Sequence, residues 1–265
     1  MEDRAISLNW KEKSNGDLYD ARHPATVYQS GTLGWDRKLD IFLDRLSGWN
    51  LVPASKLATG HPDHVVANAD FVAVMAMLST VEALEGIRRG LSAEGVGPQK
   101  ESSAVLFIDG MLRSFYREVG PVDIRHARSN LAVYVAARCQ LAHAGIVNGV
   151  QGKKLSRGMP HQVNPQGAVF AWPNQTPASF DECRFQIING PEAGVTLGIR
   201  AANTDVWEGC ACGVEVQAAA GNLLWVTIRP VEFLRTVEHA VTALADDVRN
   251  DPSGVRANFL SMFDL

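Results

Sequence analysis

Apolar side chains recur at three- and four-residue intervals in several stretches of this chain, and each such stretch predicts an amphipathic helix. In WDRKLDIFLDRLSGW (35–49) the apolar stripe is Leu39, Phe42, Leu43 and Leu46, and Gly48 is placed to end the helix. A longer run from Asp70 to Arg89 keeps Phe71, Val74, Met75, Leu78, Val81, Leu84 and Ile87 on the helical period. Asp70 fits its N-cap and Gly90 the left-handed position beyond its end. Helical character returns from Val105 to Arg117, ahead of Pro121. A further helix is expected from a cap at Asn130, with Leu131, Tyr134, Val135, Arg138, Leu141 and Ala142 along one side and Gly145 permitting its end.

From Ala168 the period shortens toward two. AVFAW, RFQIING, VTLGIR, GVEVQ and LLWVTIR read as short strands separated by Pro, Gly and Asn. Pro230 then ends a strand and opens the helix VEFLRTVEHAVTALADDV, and VRANFLSMF reads as a last short helix. Residues 1–34 are polar and turn-rich, with Asn15-Gly16 and Gly31, and read as an irregular arm. The stretch after the 35–49 helix, through HPDH (61–64), reads as a loop. The expected architecture is α+β: an antiparallel helical bundle with a small antiparallel strand-rich elaboration and a C-terminal helix. Three regions follow: an arm with a short helix (1–64), a helical core (65–150), and the elaboration with closing helices packed on that core (151–265).

With 46% apolar and 20% charged residues over 265 positions, the composition is that of a globular chain rather than a disordered one. The formal net charge of −4 argues against a general nucleic-acid coat. Basic residues are nevertheless concentrated between Met111 and His161, where Arg113, Arg117, Arg125, Arg128, Arg138, Lys153, Lys154 and Arg157 face only Glu118 and Asp123. That segment predicts either solvated helix faces or one local anion contact.

The four cysteines are Cys139, Cys183, Cys210 and Cys212. With a polar start and no run of membrane-spanning length, the expectation is a cytoplasmic protein with reduced thiols and no membrane contact. Cys210-Ala-Cys212 and the His61/His64 pair lack matching ligands at convincing spacing, so neither predicts a metal. Hydrolase, Walker and Rossmann signatures are absent.

The residues with the clearest chemistry are Arg138 and His143, in VYVAARCQLAHAGIVNG. A neutral imidazole near pH 7 can accept the proton of an RNA 2′-hydroxyl. A guanidinium fork can hold the extra charge of the resulting phosphorane in two places. On an ideal helix, residues five apart are rotated by about 140°, so one straight helix does not aim both at one phosphate. Either the helix frays near Gly145, or a second copy of the chain completes the site. Tyr134, four residues before Arg138, is either a core aromatic or a phosphate donor. Asn148 and Lys153 follow the motif and are placed to touch RNA.

The Arg-x4-His spacing resembles the Arg-x(4–6)-His signature of the HEPN superfamily of helical domains. ADFVAVMAMLSTVEALEGIRRG (69–90), SSAVLFIDGMLRSFYRE (102–118) and LLWVTIRPVEFLRTVEHAV (223–241) resemble that superfamily's leading helix, following helix and closing strand-helix, so the likeness spans roughly residues 65–265. The resemblance implies a metal-independent endoribonuclease without a cofactor, working as a homodimer on RNA in a bacterial defence or toxin–antitoxin setting. An antitoxin or another defence protein would be its partner. His143 would be the general base and Arg138 the phosphorane-binding cation. Glu82 falls where related proteins carry an interior acidic residue, and would orient Arg138 through a salt bridge; the competing expectation is an ordinary solvated helix end. The family usually places Asn, Asp or His after the arginine, whereas this chain has Cys139. That departure favours the rival reading, a non-catalytic HEPN-like dimerisation or nucleotide-binding module.

Overall fold

The computed structural model describes residues 3–58, 69–92, 100–116, 133–139, 150–151, 162–163, 169–170, 182–187, 213–219, 223–251 and 254–263. The N-terminal residues are not the irregular arm expected. They form a four-stranded antiparallel meander of β1 (Arg4–Ala5), β2 (Trp10–Glu12), β3 (Leu18–Asp20) and β4 (Val27–Tyr28). Strands of two or three residues are too short to print an alternation on the sequence. Their stability comes from one buried edge, in which Ile6, Trp10 and Leu18 face the core. Asn15-Gly16 was the legible sign. Lys13 N donates to Asp17 O at 2.8 Å, Gly16 N donates to Lys13 O at 2.9 Å, and Gly16 takes φ +86°, the left-handed residue such a hairpin needs.

The meander docks on α1 (Trp35–Leu46) through Asp44. Its carboxylate accepts hydrogen bonds from Ser7 Oγ and, at 2.6 Å each, from Asn9 N and Asn9 Nδ2. Gly48 does not terminate this helix. The chain continues through a π-helical turn (Ser47–Leu51) into α2 (Val52–Ala58). Glycine is required at 48 by a close approach, because a Cβ there would lie 2.8 Å from Leu8 Cβ of the docked meander.

The two strongest helical patterns appear as α3 (Ala69–Arg89) and α4 (Ser103–Tyr116). Gly90 takes φ +63° beyond α3, as its position predicts. Gly110 lets the two helices close on one another, since a Cβ there would lie 2.6 Å from Val81 O. The closing helices are α5 (Pro230–Asn250) and α6 (Val255–Met262). Pro230 occupies the first turn of α5, where its missing N–H costs no hydrogen bond.

One continuous core joins these parts. It runs from Ile6, Trp10 and Leu18 through Leu39 and Ile41 to Leu84, Ile87, Leu244, Val248 and Phe259. Phe42, Phe259 and Phe263 pack ring against ring at centroid distances of 5.4–5.6 Å. Each buried Leu or Phe contributes roughly 1.5–3 kcal/mol by leaving water, so the N-terminal meander and the C-terminal helices stabilise one another. No helix among the described residues is long and apolar enough to cross a membrane.

The strand-rich elaboration is not purely antiparallel. β5 (Val150–Gln151), β8 (Glu182–Ile187), β9 (Val214–Ala219) and β10 (Leu223–Ile228) form a sheet in the order β5-β8-β10-β9. Its inner pair, β8 and β10, is parallel, with Leu223 opposite Glu182 and Ile228 opposite Ile187. β10 runs antiparallel to β9, with Leu223 opposite Ala219. β10 rather than β9 lies beside β8, and parallel neighbours need more chain between them than a two-residue hairpin. Periodicity reveals that strands exist but not which ones are neighbours. A separate pair joins β6 (Gln162–Val163) to β7 (Val169–Phe170). VTLGIR lies outside the described residues. The fold is thus mixed helix and sheet, as an α+β reading requires.

Candidate functional site

The site is built on the C-terminal half of α3, where Glu82, Glu85, Arg88 and Arg89 follow within eight residues. Glu82 and Glu85 are buried. The solvated helix end held as the alternative for Glu82 is therefore not what the chain forms. A buried carboxylate must find donors or lose several kcal/mol. Both oxygens of Glu82 do: Oε2 accepts from Arg138 Nε at 2.8 Å, and Oε1 accepts from Ser103 Oγ at 2.7 Å.

Glu85, one helical turn on, is only 1% exposed in its side chain. It takes a bidentate pair from Arg113 of α4, Nε at 2.8 Å and Nη2 at 3.1 Å. Arg88 lies 3.8 Å from the same carboxylate and is bound more closely by Asp247 of α5, with Nε and Nη2 at 2.9 and 2.7 Å. Arg89 reaches Asp109 of α4 at 2.7 Å and Glu101 at 3.3 Å. Burial opposes the charge on Arg113, but the adjacent Glu85, with weaker help from Asp109 and Asp247, outweighs it and raises that guanidinium above its ordinary value. Arg88 goes the other way. Its burial, with repulsion from Arg113, outweighs the pull of Glu85 and Asp247 and lowers it. The difference follows the distances, since Glu85 sits 2.8 Å from Arg113 and 3.8 Å from Arg88.

Arg138 is engaged differently from its neighbours. Arg88, Arg89 and Arg113 each commit at least one terminal Nη to a carboxylate. Arg138 gives Glu82 only its Nε, and among the described residues its two Nη groups have no partner. Its side chain is 20% exposed. The carboxylate thus holds the guanidinium through Nε, and a guanidinium fork is a group that can bind a phosphate or phosphorane in two places.

The segment carrying Arg138 is not the α-helix expected. Tyr134–Cys139 is π-helical. A π-helix bonds i to i+5, so it turns less per residue than an α-helix, and residues five apart lie nearer one face. Periodicity cannot announce such a turn, because one residue of extra winding leaves the apolar spacing almost unchanged. Tyr134 is half-buried, with its ring 5.6 Å from that of Phe107 on α4. Cys139 sits at the end of the π-helical segment. His143, Asn148 and Lys153 lie outside the described residues. The structure therefore brings together Glu82 and Arg138 of the expected site, while Tyr134 packs against Phe107.

Sequence reading missed Ser103 and the Glu85–Arg113 pair. A signal was present for the serine. Ser103, Phe107 and Gly110 follow at spacings of four and three, so a hydroxyl shares the face of α4 that closes on α3. Arg113, counted with the basic segment, is held by Glu85 rather than solvated. No protein-family model matches the chain, and no curated protein or solved structure is significantly similar to it.

Proposed function

We propose that this chain is a metal-independent endoribonuclease of the HEPN type, with a bacterial defence or toxin–antitoxin role. The observation that carries this reading is the state of Arg138: anchored through Nε on a buried glutamate, with both Nη groups unengaged among the described residues. Arg113, by contrast, turns Nε and Nη2 onto its carboxylate.

In the proposed reaction His143 takes the proton of the 2′-hydroxyl. The 2′-oxygen attacks the adjacent phosphorus and the bond to the 5′-oxygen breaks. Arg138 holds the non-bridging oxygens as negative charge builds on them. The products are a 2′,3′-cyclic phosphate and a 5′-hydroxyl. A homodimer joined through residues 131–145 brings the two motifs to one cleft. Arg138 lies within the π-helical segment Tyr134–Cys139, and such π-bulges recur at functional sites.

The second reading is a non-catalytic HEPN-like dimerisation or nucleotide-binding module. Cys139 favours it, because a thiol is a poor donor to phosphate. Incubation of the purified chain with single-stranded RNA in EDTA separates the two. The nuclease reading expects cutting to 2′,3′-cyclic ends, abolished by His143→Ala with the melting temperature retained. Equal cutting by both proteins removes His143 from the mechanism. Nucleotide binding without cutting supports the module.

A further inference from the structure

We propose that Ser103 is a positioning residue for Arg138, an inference that rests on the ribonuclease reading of that site. Ser103 opens α4. As the first helical residue it sits one past the capping position, held by Ser102, whose carbonyl accepts from Leu106 N at 3.0 Å. Its hydroxyl donates instead to Glu82 Oε1 at 2.7 Å, on a helix 21 residues earlier in sequence.

The consequence is orientational. A carboxylate with a single arginine partner is free to rotate and to meet the guanidinium through Nε, Nη or both. Glu85 meets Arg113 through Nε and Nη2 in a fork-to-fork pair, with Arg88 also 3.8 Å from that carboxylate. In Glu82, the bond from Ser103 to Oε1 fixes the rotation of the carboxylate, and Oε2 takes Arg138 Nε alone. The two carboxylates sit one turn apart on the same helix, and Glu82 is the one that also accepts from a hydroxyl. Ser103 thereby keeps the Arg138 fork turned toward the substrate side. The close α3–α4 contact at Gly110 holds the serine at the right height, about two turns along α4.

The experiment uses the full chain, with RNA cleavage in EDTA and the Arg138 Nε–H signal in nitrogen-15 NMR as paired readouts. Ser103→Ala is expected to lower kcat about ten- to a hundredfold, the order set by one hydrogen bond to a charged group, with KM changed less than about twofold. The Arg138 Nε–H signal is expected to broaden and shift toward that of a free arginine, while Ser103→Thr restores both. Where Ser103→Ala fails to fold, Ser103→Cys, which keeps the size but donates poorly, replaces it. An unchanged kcat together with an unchanged Arg138 signal overturns the proposal. A wild-type chain that cuts no RNA defeats the ribonuclease reading. The role of Ser103 in orienting Arg138 is then decided by the NMR signal alone, and an unmoved signal ends it.

Discussion

Glu82 and Arg138 meet across 56 residues of chain, with Oε2 accepting from Nε at 2.8 Å, and among the described residues the terminal Nη groups have no partner. The neighbouring pair, Glu85 and Arg113, spans 28 residues and uses the fork up. Two arginines from different elements thus meet carboxylates of one helix in different ways, and in the proposed function they have separate roles.

Substituting lysine at each position should expose that difference. Arg138→Lys keeps the charge but loses the planar fork, so RNA cleavage should fall about a hundredfold or more. Its stability should fall less than that of Arg113→Lys, because Glu82 keeps the Ser103 hydrogen bond and only one bond from the arginine is lost. Arg113→Lys should do the reverse. Leaving Glu85 with a poorer partner should cost about 1–3 kcal/mol, with any surviving fold retaining its activity. Urea unfolding beside the cleavage assay checks both. Equal stability losses at the two positions would contradict the assignment of separate roles.

Gly110→Ala should be among the most damaging small substitutions. The new Cβ would sit 2.6 Å from Val81 O, 3.0 Å from Val81 Cγ1 and 3.2 Å from Glu85 Cβ, so α3 and α4 must separate. Overpacking of this kind costs about 1–3 kcal/mol. A lowered urea midpoint is expected, with Ser103 pulled off Glu82 and activity reduced further than stability alone explains.

Cys139 tests catalytic against structural use of the position after Arg138. If that side chain contacts phosphate, Cys139→Asn should preserve or raise cleavage and Cys139→Ala should be nearly silent. If it is packed, asparagine should cost about 1–3 kcal/mol for a buried unpaired amide and abolish function with the fold. Thermal melting alongside RNA cleavage distinguishes the outcomes.

Asp20 carries the predicted pH dependence of the N-terminal meander. Arg22 donates to it from Nε at 2.9 Å and from Nη2 at 2.6 Å, and these bonds outweigh burial to hold its carboxyl below the usual range. The fold therefore favours the ionised form. Its contribution is complete at neutral pH, begins to fade near the ordinary aspartate value of about 4, and is lost as pH falls through the lower folded value. Asp20→Asn should lower stability at pH 7 and narrow its gap to wild type as the pH falls below that range. A constant gap between the two proteins down to pH 2 would contradict this.

The long helices were legible because each repeats its apolar period over many residues. The run from Phe71 to Ile87 and the step from Pro230 into VEFLRTVEHAV fall within a residue or two of α3 and α5. The Glu82–Arg138 pairing was legible only through the family resemblance, against the expectation of a solvated helix end. Tertiary structure decided the rest, because contact energies between distant residues leave little local trace. Strands of two or three residues around Trp10 are ordered by what they cover. The parallel pairing of β8 with β10 follows from which strand inserts where. The winding at Tyr134–Cys139 differs from an α-helix by less than an apolar period resolves. Above all, Glu82 and Glu85 are the same residue type one turn apart, yet one accepts from Ser103 and Arg138 and the other from Arg113 with Arg88 nearby, partners that other elements bring to them.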